Sequence, residues 1–222
     1  VGFKALKNLT TGAGNTAIGY EAGDALTDGL QNTILGYGAL GADVQGDRST
    51  LIGYLALESQ TGVDGNHMGT AVGAYSGRYV SSGIENTYIG YYTGIGNASA
   101  LTTGSYNTAV GSMAGEVLQG AAASNTLIGR AAGSTITTGL QNTFLGNGTT
   151  PSSVTGTNQT VIGNIATGQA DNTVTLGNAA VTDVYMASDS GATVHCAGIN
   201  MSANQVAITT GSATSSSEVF DH

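Results

Sequence analysis

Thirty-six glycines, three phenylalanines and no tryptophan among 222 residues, of which only 9% are charged, make a poor recipe for a thick globular core. The formal charge of -9 includes only five cations, Lys4, Lys7, Arg48, Arg78 and Arg130, which argues against a nucleic-acid partner, since that binding depends on clustered Lys and Arg. No run of about 18 apolar residues exists to form a membrane-spanning helix, and the single Cys196 rules out an intrachain disulfide.

Read from its start, the chain opens with Val1-Gly2-Phe3-Lys4-Ala5, which aligns with Ile18-Gly19-Tyr20-Glu21-Ala22. The expectation is a fragment that begins halfway through a repeat, with no signal peptide in view. The full phrase first appears at Asn15-Thr16-Ala17-Ile18-Gly19: a polar residue, Thr, two apolar residues, Gly. It returns at 32–36, 49–53, 69–73, 86–90, 107–111, 125–129, 142–146 and 159–163, and once more, stretched by one residue, at 172–177. Gly2, Gly19, Gly36 and Gly53 are 17 apart, and the later steps are 20, 17, 21, 18, 17, 17 and 14. A period near 17 is too short for paired helices and predicts an all-β parallel β-solenoid, each period one coil that buries its apolar side only against neighbours. Pro151 is the only proline and no Gly-X-Y period exists, so the glycines are not collagenous.

Within the phrase, side chains alternate across a strand. The residue before Gly is Ile18, Leu35, Ile52, Val72, Ile89, Val110, Ile128, Leu145 or Ile162, apolar throughout, and is read as the structural core ladder. The residue before that is Ala17, Ile34, Leu51, Ala71, Tyr88, Ala109, Leu127, Phe144 or Val161, also apolar, so both faces of the strand are expected to be buried. The second half of each coil is too poor in apolar residues to cover both faces, which predicts an interface with identical chains. Small residues three places after each Gly, such as Ala22, Ala39 and Ser76, mark a tight bend. Asn at the start of the phrase suits a turn and would bond to its own kind along a stack.

Asn15-Thr16-Ala17-Ile18-Gly19-Tyr20-Glu21-Ala22, followed by Thr-x-Gly, resembles the head repeats of trimeric autotransporter adhesins and the related repeats of bacteriophage tail fibres, over residues 1 to about 177. The resemblance implies a left-handed parallel β-roll packed as a homotrimer. Residues 172–186 resemble the neck that follows such repeats in phage fibres, and 186–194 and 217–222 resemble segments that precede a separate carboxy-terminal β domain. The implied organisation is a shaft over 1–177, a β neck over 178–200 and a linker over 201–222. The implied function is the structural shaft of a phage tail or virion fibre, which presents a receptor-binding tip at the virion surface. Its partners would be two further copies of itself, other virion proteins at its ends, and a host glycan or surface protein. The alternative is the head of a bacterial trimeric adhesin on the outer cell surface; a third reading is an ice-binding solenoid using the Thr16, Thr33, Thr50, Thr70 and Thr87 column.

Two longer repeats predict outward loops, 58–68 and 95–106. Their candidate receptor-contact residues are Asp64, Asn66 and His67 in the first and Asn97, Ser99 and Tyr106 in the second. Gly36-Tyr37-Gly38-Ala39-Leu40-Gly41 matches a dinucleotide-binding pattern but is explained by the repeat register. Asp24, Asp28, Asp43, Asp47 and Asp64 lack calcium-loop spacing and read as surface charge, and His195 beside Cys196 does not make a metal site by spacing. Tyr20, Tyr37, Tyr54 and Tyr91, with Phe3, follow a repeat Gly and form a ladder expected to stack. No catalytic constellation, cofactor or metal is expected; the chain is read as a non-enzyme.

Overall fold

A computed structural model describes residues 1–61 and 67–185. Val1–Thr182 forms one compact unit, and Asp183–His222 a second, of which only 183–185 are described. The first unit is a parallel β-solenoid with no helix among the described residues.

Each Thr-apolar-apolar triplet becomes a three-residue strand: β1 Thr16–Ile18, β2 Thr33–Leu35, β3 Thr50–Ile52, β4 Thr70–Val72, β5 Thr87–Ile89, β6 Thr108–Val110, β7 Thr126–Ile128, β8 Thr143–Leu145, β9 Thr160–Ile162 and β10 Val174–Leu176. They pair in parallel and in chain order as one ten-stranded sheet, with no slip in register: Thr16 opposite Thr33, Ala17 opposite Ile34, Ile18 opposite Leu35. In β10 the stretched phrase sets Val174 opposite Thr160 and Leu176 opposite Ile162.

Backbone groups are satisfied between coils rather than within them. The amide of Thr33 donates to the Ser49 carbonyl at 2.9 Å, and that of Gly36 donates to the Ile18 carbonyl at 2.8 Å. The repeat glycine makes this spacing attainable. From Gly19 to Gly163 it adopts φ of +127° to +151°, and at Gly36 a Cβ would stand 2.2 Å from the carbonyl oxygen of Gly53. Any side chain there would prise neighbouring coils apart. The small residues predicted at the bend are fully buried, Ala22, Ala39, Ala56, Ser76 and Thr93 among them.

The predicted core ladder is corrected by the structure. Ile18 is 46% exposed, Leu35 41% and Ile162 37%, and Val72 and Val110 are half-buried. Ile52, Ile89, Ile128 and Leu145 are exposed with them, on the outer face of the sheet. The interior column is the middle residue of each triplet, Ala17, Ile34, Leu51, Ala71, Tyr88, Ala109, Leu127, Phe144 and Val161, all buried. The pleat explains this: the two residues flanking an inward one must point outward together. One chain therefore buries one face of its sheet.

Side-chain size in that column varies from Ala to Tyr, and the opposite wall compensates. Tyr88 fits because its ring lies against Gly77 and Gly94, where an added Cβ would approach ring carbons to 2.8 and 2.3 Å; Phe144 uses Gly133 in the same way. Burial raises the Tyr88 phenol pKa, with the Asn107 amide pulling weakly downward. Beside the column runs a buried amide ladder. Asn32 donates from its backbone N and Nδ2 to Asn15 Oδ1 at 2.9 and 3.0 Å, and Nδ2 also donates to the Gly46 carbonyl at 2.6 Å. Asn86, Asn107, Asn125 and Asn142 continue the pattern, and Ser49 and Gly69 interrupt it. The expected Asn stacking is thus an interior feature.

Gly94 also has φ +54°. Gly94→Ala would both strain the backbone and collide with the Tyr88 ring, and is expected to destabilise the unit by roughly 2–4 kcal/mol. Urea denaturation followed by circular dichroism measures it; a loss below about 1 kcal/mol would contradict this packing.

Candidate functional site

The outer face of the sheet is the most distinctive surface of the molecule. Nine threonines, one at the start of each strand from β1 to β9, form one column, and the nine aliphatics that end those strands form a second beside it. Both columns are in register because every strand pairs without slip. At about 4.8 Å per strand, the face runs for roughly 45 Å, with an apolar stripe along its whole length. A contiguous exposed stripe on that scale is uncommon on a monomeric protein.

Along the carboxy-terminal edge of the face stand the residues after each repeat glycine. Phe3, Tyr20, Tyr37 and Tyr54 form a stack with centroid separations of 5.4, 5.1 and 5.2 Å and interplanar angles of 22°, 7° and 19°. Tyr75 and Tyr92 continue the aromatic run at tilted angles. Because each ring covers the face of the next, the stack offers ring edges and hydroxyls rather than flat sugar platforms. Arg78 lies over Tyr75 and Tyr79 at 5.3 and 4.9 Å and donates from Nε to Glu58. Lys4 pairs with Glu21 at 2.8 Å; this raises the Lys4 pKa and lowers that of Glu21.

The predicted loop sites separate. Asp64 and Asn66 lie outside the described residues, as do His195 and Cys196. His67 is not a surface contact: its side chain is fully buried, with Nδ1 2.5 Å from Asp43 Oδ2. Asn97 and Ser99 are exposed in a tight turn in which the Ser99 amide donates to Asn97 Oδ1 at 2.8 Å. Tyr106 is exposed two residues before β6, its amide donating to the Ile84 carbonyl, so it belongs to the amino-terminal edge of the sheet face rather than to that turn. Of the aspartates read as surface charge, Asp43 is corrected as well. Its Oδ1 accepts from the Gln45 and Gly46 amides at 3.1 and 3.0 Å inside the coil. Among the described residues no group of three or more His, Cys, Asp or Glu side chains could hold a metal ion, and no helix is long and apolar enough to cross a membrane.

Sequence reasoning passed over the buried polar group of Asp43, Gln60 and His67. The signal was present in the repeat frame, because Leu9, Leu26, Asp43 and Gln60 follow one another at steps of 17, so two polar residues replace interior aliphatics in consecutive coils. Gln60 Oε1 and His67 Nε2 have no hydrogen-bond partner there. The group sits where the amide ladder is broken at Ser49 and Gly69, and it ties residue 67, just past the first insertion, to the coil before it.

Comparison of the chain with protein-family models, with curated proteins and with solved structures finds no match.

Removing both members of the buried couple should cost less than the sum of removing each alone. Asp43→Ala or His67→Ala is each expected to destabilise by about 3–5 kcal/mol, and the double variant by clearly less than their sum. A double-mutant cycle in urea reads the coupling, and strict additivity would show that the contact contributes nothing.

Proposed function

We propose that this chain is the shaft segment of a homotrimeric fibre, of the kind borne on a phage tail or virion, which holds a receptor-binding tip away from its base. Its partners are two more copies of itself, virion proteins at its ends and, through the tip, a host glycan or surface protein. The observation that carries the reading is the nine-residue aliphatic column lying exposed on a regular, in-register sheet face. Fully burying a Val, Leu or Ile is worth roughly 1.5–3 kcal/mol, so burying the remaining two-fifths or so of nine such residues yields about 5–11 kcal/mol per chain. Three chains would gain about 16–32 kcal/mol against two association steps of roughly 4–15 kcal/mol each. The balance favours assembly when the flanking columns contribute too.

Phage fibre as opposed to bacterial adhesin head rests on the resemblance of 172–186 to a fibre neck, and a cell-surface location remains the alternative reading. In either setting the mechanism is mechanical: a stack of coils fixes length, and three copies present three tip sites, which raises avidity through effective concentration.

One observation favours a second reading. The threonine column, expected to share a face with the core, in fact shares it with exposed aliphatics, which leaves a flat, regular array open to solvent in a single chain. An ice-binding solenoid needs such an array, and thermal hysteresis of the purified protein is its test; none is expected if the face is an interface between chains.

The fibre reading predicts three times the chain mass of 21.9 kDa in solution by light scattering. Placing charges in the stripe, with Ile52→Glu and Ile128→Glu together, should yield monomers with an unchanged β-sheet circular dichroism spectrum. A wild-type monomer would overturn the proposal.

A further inference from the structure

All ten strands cross the face in one direction, so its two edges differ. On the carboxy-terminal edge the chain passes from Ile18 through Gly19 to Tyr20, and the residues after the repeat glycines are Phe3, Tyr20, Tyr37, Tyr54, Ala74 and Tyr91 in the first half of the shaft, then Ser112, Arg130, Asn147 and Asn164 in the second. On the amino-terminal edge, three residues before the strand's Thr, five of the nine positions are apolar, Ala13, Leu30, Ile84, Ala123 and Leu140, with Leu30 and Leu140 exposed, while Asp47, Ser105 and Thr157 are polar and His67 is buried. Both edges therefore carry apolar side chains that their own chain leaves partly uncovered, Tyr37 at 46% among them.

Copies related by rotation about an axis keep the same rotational sense. When three sheet faces surround that axis, the carboxy-terminal edge of one must meet the amino-terminal edge of the next, a head-to-tail contact that closes after three steps. Like edges cannot meet in that symmetry. We infer that the tyrosine column of each chain, Tyr20, Tyr37 and Tyr54, seals the seam of the trimer by packing on the Ala13 and Leu30 edge of a second copy of this chain. The inference rests on the trimeric reading above and adds to it a direction and a set of contacting residues. It also makes the seam unequal along the shaft, aromatic over the first four coils from Phe3 to Tyr54 and again at Tyr91, and polar from Ser112 onward, where Asn147 Nδ2 already donates to Asn164 Oδ1 at 3.0 Å within one chain. The rings are held in place before assembly by their stack, so little side-chain freedom is lost on contact.

The test uses the whole chain with Cys196→Ser as background. Tyr37→Cys paired with Leu30→Cys, or with Ala13→Cys to allow an axial offset of one coil, should give a covalent trimer as the main species on non-reducing gels after mild oxidation. Tyr37→Cys, Leu30→Cys and Ala13→Cys alone should each remain monomeric on the same gels. A dimer from Tyr37→Cys alone would mean that like edges meet and would overturn the inference, as would trimers in solution that neither pairing links. Monomers in solution would instead overturn the trimeric reading itself, so the two failures are distinguishable. Nitration of the unaltered protein provides a check that does not depend on the variants folding. Tyr37 in the seam should react at least tenfold more slowly than Tyr185, which is 83% exposed; equal rates would leave the column unsealed and sink the inference.

Discussion

The structure depends on one constraint: consecutive coils must approach to within backbone hydrogen-bonding distance along their whole circumference. Amides of Leu6, Gly23 and Leu40 donate to carbonyls one coil onward, as do those of Thr16, Thr33 and Thr50 on the sheet side. The repeat glycine is one point of close approach, since a Cβ at Gly19, Gly36 or Gly53 would meet the carbonyl of the next repeat glycine. From that spacing follow the narrow interior, the matching of large residues to glycines across it, and the buried amide ladder, which can form only when equivalent positions repeat at the inter-strand distance.

A solenoid built this way has a thin core, and its stability is close to a sum of neighbouring coil contacts. Local departures from the repeat therefore matter more than in a globular domain. Around residues 43–69 three departures coincide: the amide ladder loses its side chain at Gly69, the interior aliphatic column turns polar at Asp43 and Gln60, and the chain carries its first insertion. The Asp43–His67 contact replaces what the ladder loses, joining the residue after the insertion to the coil before it. Its polar atoms are incompletely satisfied, at His67 Nε2 and Gln60 Oε1, while the backbone bonds between coils continue around it, with the Met68 amide donating to the Asp47 carbonyl and the Thr50 amide to the Gly69 carbonyl.

Much of the fold was legible from spacing alone, because a parallel in-register stack makes equal positions in sequence equal positions in space. Strand locations, the buried small residues at the bend and the stacked tyrosines all follow from that rule. The inward face was misread, since both residues of each apolar pair are hydrophobic and alternation does not say which of two apolar columns points in. The variable one proved to be interior because a glycine opposite absorbs the variation, as Gly77 and Gly94 do for Tyr88; uniform size marked the outward column instead. The backbone conformation inside the corners was illegible for a different reason. They use left-handed backbone at Glu21, Leu55, Tyr75 and Met113, residue types that carry no turn signal and are held there by the coil above and below. His67 was misplaced because an inserted loop was assumed to project all of its polar residues into solvent, although its last residues must re-enter the coil.

The outward aliphatic column is what separates a free-standing solenoid from a subunit of something larger. An isolated coil stack has no reason to keep nine consecutive outward positions free of any polar residue, since a polar side chain would serve as well there and better in water. The threonines beside them show that the same face accepts polar atoms at the neighbouring position in every coil from β1 to β9. Apolar identity in one outward column and polar identity in the adjacent one is not a general preference for apolar strands, and in the proposed trimer it would reflect two environments only a few ångströms apart. A rotational assembly supplies such a pair of environments, because the two edges of each face meet different edges of its neighbours.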